Sequence, residues 1–304
     1  MRRIGLALTA TLATGAGAAD RRAPAERVVT GDGVVTATVA GVQGRVRIDP
    51  GATALPLVSR RFAERAGLRP TMVGVRYGVG PVTIPGASRV ARVDFGGGAN
   101  KRRVAWTDRP YAAGVDGVVG PAGLPEPVVR FVLRAERPGE RTATFRMIDQ
   151  GGVFGGWAER FAVIEVGGRP MRLRFDPHHR RTLATAGAGV RLARAFGGAI
   201  SGATTFEEIA FGVERPVRTL TLAAPLRLGA LSIAALGVRT VDGGNVSGLH
   251  DADAPPSDPD EVVVTADTKR DPSRDRLALG RDQLDRCSSI VFDKPRREVR
   301  LTCA

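Results

Sequence analysis

The chain has 304 residues, and its 45 lysines and arginines against 31 acidic residues give a formal net charge of +14. Hydrophobic residues make up 43% of the sequence, which is typical of a globular protein and excludes a chain that is disordered throughout. Aromatic residues amount to only 5%, and the arginines are scattered among strand-like segments, so we expect no nucleic-acid-binding surface. Contact of this basic protein with an anionic envelope surface stays open.

The first nineteen residues have the pattern of a secretory signal peptide. Two arginines follow Met1, a short apolar segment extends to Thr14, and small residues fill positions 15–19. The apolar segment is too short and too rich in Ala, Thr and Gly to span a membrane, and we predict no membrane span elsewhere. We therefore expect a secreted, periplasmic protein.

Residues 44–59, GRVRIDPGATALPLVS, are the most informative segment of the first half. Polar and apolar residues alternate up to Ile48, as in a half-buried strand, and Asp49 follows at a turn of small residues. Backbone N–H groups of such a turn hold an acidic side chain, which either presents a carboxylate for chemistry or merely caps the turn. A helix is predicted from Arg60 to Leu68.

Three further elements are predicted in the first half. Residues 73–93 form a β-hairpin with a glycine-containing tip around Tyr77 and Gly78, where Tyr77 either covers a binding cleft or packs against its strand pair. Residues 115–120, VDGVVG, contain two apolar residues followed by a glycine. Residues 128–148 contain two alternating segments around Pro138 and Gly139, and we expect these to pair as a hairpin.

The strand–Asp–Pro pattern occurs a second time. When Asp49 is aligned with Asp176, three further residues of the first segment fall on identical residues of the second, namely Arg45 on Arg172, Arg47 on Arg174 and Pro50 on Pro177. One such turn in each half predicts two related lobes that each contribute one carboxylate. The glycine-rich segment 150–156 marks the boundary, giving lobes at residues 20–150 and 151–304.

The second half contains a polar insertion at about 249–275, rich in Pro and Asp, which we predict to be a solvated loop. The only two cysteines, Cys287 and Cys303, flank a predicted hairpin as cross-strand neighbours, and an oxidising compartment would favour a disulfide between them. His178 and His179 are adjacent, and adjacent side chains on a strand point to opposite faces, so we predict no metal site.

Taken in order, these motifs resemble those of the aspartic proteases of the pepsin and retropepsin type. Residues 49–53, DPGAT, match the family's Asp-Thr/Ser-Gly turn apart from the proline, and Tyr77-Gly78 resembles the flap. Residues 115–120 and 277–284 look like the two apolar-Gly elements that lie beside the catalytic loops. The resemblance implies a mostly β, two-lobed pepsin/retropepsin-like acid-protease barrel fold with pseudo-twofold symmetry.

The resemblance also implies an aspartic endopeptidase that acts on peptide or protein substrates and needs no metal or other cofactor. Asp49 and Asp176 would form the catalytic dyad, because two close carboxylates share one proton and can activate a water molecule. Tyr77 and Gly78 of the flap, with Gly51 and Thr53 of the first loop, would bind the substrate.

Two departures from the family pattern keep other functions open. Pro50 and Pro177 stand where the family has Thr or Ser, whose hydroxyl links the two catalytic loops, and His178 replaces a glycine. One alternative is a catalytically degenerate member that binds extended peptides in the cleft between the lobes. Another is a basic envelope protein whose surface charge matters more than its cleft.

Overall fold

A computed structural model describes residues 26–149, 159–242, 246, 249–254 and 272–304. The predicted signal peptide, the predicted lobe boundary at residues 150–151 and most of the predicted insertion lie outside these residues. Within the described ranges, none of the helices combines the length and the hydropathy that crossing a membrane requires.

Most of the described residues form strands. In chain order the strands are β1 (Glu26–Thr30), β2 (Val34–Val39), β3 (Val42–Ile48), β4 (Leu57–Ser59), β5 (Val75–Val79), β6 (Val82–Asp94), β7 (Asn100–Thr107), β8 (Gly117–Val119), β9 (Val128–Val132), β10 (Arg141–Asp149), β11 (Arg160–Val166), β12 (Arg169–Phe175), β13 (Leu183–Ala184), β14 (Gly198–Ala210), β15 (Val213–Leu228), β16 (Leu231–Arg239), β17 (His250–Asp251), β18 (Arg276–Leu279), β19 (Cys287–Asp293) and β20 (Glu298–Cys303). The helices are α1 (Arg60–Arg65), α2 (Ala186–Phe196) and α3 (Arg281–Leu284), with single 3-10 turns at Pro121–Gly123 and Pro272–Arg274.

Helix α1 is shorter than predicted. The side chain of Ser59 accepts a hydrogen bond from the Phe62 N–H and starts the helix, which ends at Arg65 instead of Leu68. Gly67 has a φ of 61°, a left-handed conformation that glycine adopts without strain and that stops the helix.

The two halves of the chain repeat one strand arrangement. The first sheet has the order β2-β3-β8-β4-β7-β6-β5, and the second contains the run β11-β12-β18-β13-β16-β15-β14. The corresponding pairs agree in direction, because β3–β8 and β12–β18 are parallel and so are β4–β7 and β13–β16. The predicted fold class, mostly β and two-lobed with pseudo-twofold symmetry, is confirmed.

A group of strands between the two repeats joins the halves. Its order is β1-β9-β19-β20-β10, and β10 pairs with β11 at the start of the second repeat. The hairpin predicted for residues 128–148 is therefore wrong, because β9 pairs with β1 and β19 and β10 pairs with β20 and β11. The C-terminal hairpin β19–β20 lies between these two strands.

Aromatic packing continues from this joining sheet to the second repeat. The ring centroid of Phe292 on β19 lies 5.9 Å from that of Phe131 on β9 and 6.2 Å from that of Phe175 at the end of β12. All three side chains are buried. Because Phe175 directly precedes Asp176, this packing holds the second Asp turn against the sheet that joins the halves.

Candidate active site

Asp49 follows β3 in a turn held by backbone hydrogen bonds. Its N–H donates to the carbonyl of Val119 on β8 over 3.0 Å, and Gly51 N–H donates to its carboxylate over 2.7 Å. Asp49 is 4% exposed. Burial raises the pKa of Asp49, the neighbouring Asp176 raises it further, and the positive charge of Arg174 opposes both effects.

Asp176 occupies the matching position after β12. Its N–H donates to the carbonyl of Leu279 on β18 over 2.8 Å, and its carbonyl accepts from His179 N–H over 3.1 Å. In the first lobe the Asp49 carbonyl accepts from Ala52 N–H over the same distance, 3.1 Å. The Asp176 side chain is 17% exposed. The two predicted catalytic carboxyl groups are therefore brought together on equivalent loops, in unlike environments.

Arg174 adds a positive charge to the aspartate pair, and sequence reasoning did not identify it as a site residue. Its Nη2 lies 3.9 Å from the Asp176 carboxylate and donates a 2.7 Å hydrogen bond to the Tyr111 hydroxyl. Burial alone would lower the pKa of Arg174, but Tyr111, Glu159 and the two aspartates together hold that pKa well above its ordinary value. The guanidinium is therefore permanently charged.

Arg174 also links the two halves of the chain beside the Asp49 turn. Tyr111 belongs to the first half of the chain, and Arg174 reaches it from β12. The guanidinium also lies against Gly51, where a Cβ atom would collide with it. The sequence contained one signal of this role. Immediately before Asp176, Arg172 and Arg174 alternate with apolar residues, which the structure buries.

The predicted flap is the hairpin of β5 and β6, and its counterpart in the second repeat is the hairpin of β14 and β15. The tips of the two hairpins meet. Tyr77 lies with its ring centroid 5.4 Å from that of Phe211 at the tip of the second hairpin. A Cβ atom on Gly80 of the flap would lie 3.1 Å from Arg215 Nε and 3.3 Å from Asp242 Cγ.

Phe211 is the second residue that sequence reasoning missed. It is 3% exposed, its ring contacts the rings of Tyr77 and Tyr111, and its N–H donates to the Tyr111 carbonyl over 3.2 Å. Phe211 and Gly212 have φ angles of 59° and 65°, as in a tight hairpin turn of type I′. The aromatic contacts hold a phenylalanine in a conformation that bulky residues rarely adopt.

A cavity of about 580 Å³ lies beneath the two hairpin tips. Tyr77, Gly78, Thr53 and Asp176 line it, whereas Asp49 is buried and does not. Of the four residues predicted to bind substrate, Gly51 instead supports the site through its hydrogen bond to Asp49. Among the residues that the structure describes, seven arginines and three acidic residues line the cavity.

The remaining site predictions concern metal ions and the cysteines. In the described ranges, no group of three or more His, Cys, Asp or Glu side chains is placed to hold a metal ion. His179 lies near Glu207, with 3.6 Å between its Nε2 and the carboxylate. Cys287 and Cys303 face each other across β19 and β20 and are joined by a disulfide.

Comparisons with known proteins found likenesses among solved structures only, since no protein-family model and no curated protein matches the chain. The retroviral protease-like domain of Ddi1 from Leishmania major is 25% identical over 29% of this chain and 70% of its own, with a TM-score of 0.23. The aspartic proteinase from Irpex lacteus is 12% identical over 89% of this chain and 94% of its own, with a TM-score of 0.42.

Proposed function

We propose that the protein is an aspartic-type endopeptidase in which Asp49 and Asp176 form the catalytic pair. One observation carries the proposal: the two carboxyl groups stand at equivalent ends of two symmetric parallel strand pairs, in unlike environments. Two carboxyl groups whose environments differ in this way divide the roles of acid and base between them. The disulfide suits a secreted, periplasmic location, where thiols are oxidised.

The unlike environments support one division of the roles. Asp49 is buried with a raised pKa and is the group that keeps the shared proton, while Asp176 faces the cavity and pairs with a cation. In the proposed reaction Asp176 takes a proton from a water molecule as the water oxygen attacks the peptide carbonyl carbon. The carbonyl oxygen has to reach past the cavity lining to the buried Asp49 carboxyl, which gives it a proton to form a tetrahedral diol. Asp176 then gives its proton to the amide nitrogen, the C–N bond breaks, and a diol hydroxyl returns a proton to Asp49 as the carboxylic acid forms.

One observation favours a second candidate, a cleft that binds peptides without cleaving them. A dyad depends on the repulsion of two carboxylates, which keeps one of them protonated. Arg174 supplies a fixed positive charge that lowers this repulsion, and it lies within 3.9 Å of Asp176. The peptidase requires Asp49 and Asp176 to hold one shared proton at a pH where the protein is folded. The peptide-binding cleft does not.

Cleavage of an unfolded protein substrate between pH 3 and pH 7 separates the two candidates. We expect wild type to cleave, and Asp49→Asn and Asp176→Asn each to lower kcat/KM by roughly 100-fold or more. A statyl-type mimic of the tetrahedral intermediate should block the wild-type activity. The control is Asp285→Asn, which neutralises an exposed aspartate after α3 and should leave activity unchanged.

A folded wild type that cleaves nothing across this pH range would reject the peptidase and leave the peptide-binding cleft. Residual activity that both Asn variants retain would be traced to a contaminating protease. Circular dichroism of each variant before the assay confirms that the comparison is between folded proteins.

A further inference from the structure

One face of the β6–β7 strand pair carries exposed side chains that take no part in the cavity. Val90 and Arg92 are two positions apart on β6 and therefore share this face. In the antiparallel register Val90 lies opposite Arg103, and Arg92 lies opposite Lys101. Val90, Arg92 and Lys101 are exposed, and none of the four residues lines the cavity.

The segment that leads into the flap lies across the same face. The N–H of Thr71 donates to the Ser88 carbonyl over 3.2 Å, and the Ser88 hydroxyl donates to the Val73 carbonyl over 2.5 Å. Arg103 donates from its Nη1 to the Ser88 hydroxyl over 2.9 Å. Because Ser88 is two positions before Val90 on β6, the segment and the strand pair present one continuous surface.

Three apolar side chains are exposed around the groove between this segment and β6. Met72 is fully exposed, Val73 is 36% exposed and Val90 is 50% exposed, and all three line the groove. Single exposed apolar residues are common, but several around one groove are typical of an interaction surface. We name the set on this surface the basic–apolar patch, and its members are Met72, Val73, Arg89, Val90, Arg92 and Lys101.

The basic members of the patch are arranged with like charges together. In the part of the chain that the structure describes, Arg89, Arg92 and Lys101 form no salt bridge. Arg92 and Lys101 are directly opposite each other, and like charges in that position are unfavourable. Asp94 follows Arg92 on the same face, but its Oδ1 accepts two backbone N–H groups of the next turn, over 2.7 and 3.1 Å. An anionic partner would therefore relieve the repulsion between Arg92 and Lys101.

We propose that the basic–apolar patch docks the protein on an anionic phospholipid bilayer. Its apolar members enter the boundary between headgroups and acyl chains, and its basic members pair with lipid phosphates. Charge complementarity requires an anionic partner, and the exposed apolar side chains require hydrocarbon, which a soluble phosphate lacks. Nucleic acid is disfavoured because the patch has no aromatic side chain on which a base could stack. An acidic protein would need a pocket shaped to Met72, whereas a fluid bilayer accommodates a projecting side chain of any shape.

This inference is independent of peptide cleavage, although the patch and the flap share a strand. β6 contains both Val90 of the patch and Val82, where it pairs with β5 as the flap. The eight residue steps from Val90 to Val82 span at most about 27 Å. Docking through the patch therefore holds the flap near the bilayer surface.

Vesicle binding measures the docking directly. Wild type is sedimented with sucrose-loaded vesicles of phosphatidylcholine, alone or with about 30% phosphatidylglycerol, and we expect a partition coefficient about tenfold higher on the anionic vesicles. Arg92→Gln combined with Lys101→Gln should lower binding to the anionic vesicles by about fivefold for each charge removed. The matched control is Arg194→Gln combined with Arg227→Gln, which removes the same net charge at exposed positions on α2 and β15 and should change binding by less than about threefold.

A fluorescent label tests whether the apolar members enter the bilayer. Met72→Cys and Phe206→Cys are each labelled with a polarity-sensitive dye, and Cys287 and Cys303 do not compete because they are joined in a buried disulfide. Phe206 is the control, since it is 67% exposed on β14 of the second lobe. On anionic vesicles we expect the label at position 72 to shift its emission to the blue and to gain about twofold in intensity, and the label at position 206 to stay unchanged.

Absent binding, or equal binding to neutral and anionic vesicles, would overturn the inference. So would equal losses in the two double variants, which would trace binding to the charge of the whole molecule, or an unchanged label at position 72 in bound protein. Release of bound protein by millimolar glycerol phosphate would show a site for soluble phosphates instead, and retention on immobilised polyglutamate but not on vesicles would show a site for acidic proteins. Docking that depends on the patch supports the inference whether or not the protein cleaves peptides.

Discussion

At the scale of single residues, the candidate site is decided by what surrounds each carboxyl group. Asp49 and Asp176 follow similar strands and make the same backbone hydrogen bonds, yet one is buried and the other faces the cavity beside a guanidinium. The raised pKa of Asp49 has burial as its largest cause. Because burial acts only in the folded protein, it must also change how stability depends on pH.

The pH dependence of unfolding tests the protonation of Asp49. The pKa of the Asp49 carboxyl is 3.8 in the unfolded chain and higher in the folded protein, so its protonated form favours folding. Its contribution to the free energy of unfolding is complete below pH 3.8 and is lost as the pH rises through the pKa of the folded state. Asparagine cannot ionise, so Asp49→Asn should abolish this loss. The loss amounts to about 1.4 kcal/mol for each unit by which folding raises the pKa. We expect the free energy of unfolding of the variant minus that of wild type, from urea titrations, to grow between pH 3 and pH 7. A constant difference would mean that Asp49 is ionised in the folded state as readily as in the unfolded state.

The contact between Gly51 and Arg174 gives a second test at this scale. Gly51→Ala adds a Cβ atom that collides with the guanidinium, so it should destabilise the protein by roughly 1–3 kcal/mol. In an Arg174→Ala background the collision is absent, and Gly51→Ala should be nearly neutral. The double-mutant cycle, measured by urea unfolding, is expected to show a coupling of about 1 kcal/mol or more.

Gly78→Ala is the matched control for that cycle, because a Cβ atom at Gly78 would meet nothing within 4 Å. It should change stability by less than about 0.5 kcal/mol in either background. Additive effects of Gly51→Ala and Arg174→Ala would show that the guanidinium does not occupy the space above Gly51.

At the scale of elements, the two equivalent hairpins β5–β6 and β14–β15 close the cavity together. Tyr77, Tyr111 and Phe211 form one aromatic cluster, to which both lobes contribute. Residues of both hairpins belong to the same apolar cluster, which also contains Leu55 and Leu57. Closure of the cavity therefore depends on packing between hairpin tips as well as on the flap.

Phe211→Ala tests the packing of the tips. Removing a buried phenylalanine ring costs roughly 3–5 kcal/mol when the surroundings do not collapse, and we expect a loss of that order in urea unfolding. Phe206→Ala is the control, since Phe206 lies on β14 of the same hairpin with 67% of its surface exposed and should lose less than about 1 kcal/mol. Similar losses in the two variants would mean that the tip of the second hairpin is not anchored in the cluster.

The elements also show why only part of this site could be predicted from sequence. The turns at Asp49 and Asp176 were found because strand, Asp, Pro and turn are contiguous in the chain. The contacts of Tyr111 with Arg174 and Phe211 join segments that are distant in sequence, and no local pattern marks Tyr111 or Phe211. The arginines of β12 were recognised only as the polar half of an alternating strand, because alternation does not show whether the polar face meets solvent or a cavity.

At the scale of the whole molecule, the lobes are joined by strands from both halves of the chain. The C-terminal hairpin β19–β20 lies between β9 and β10, and its Phe292 packs against Phe131 and Phe175. The last strands of the chain therefore complete a sheet that the first half begins. Because such contacts join residues far apart in sequence, the joining sheet can form only after most of the chain is made.

The disulfide between Cys287 and Cys303 constrains this hairpin, and its removal tests how firmly the hairpin couples the lobes. The cysteines are 16 positions apart, and closing a loop of that size is worth about 3 kcal/mol in the chain-entropy account. We expect Cys287→Ala combined with Cys303→Ala to lose roughly 2–4 kcal/mol in urea unfolding. Hydrogen exchange should then show lower protection in β6 and β7 of the first lobe and in β15 and β16 of the second alike, because both lobes open when the shared sheet does. Loss of protection confined to β19 and β20 would mean that each lobe is held by its own core and that the hairpin only covers the seam between them.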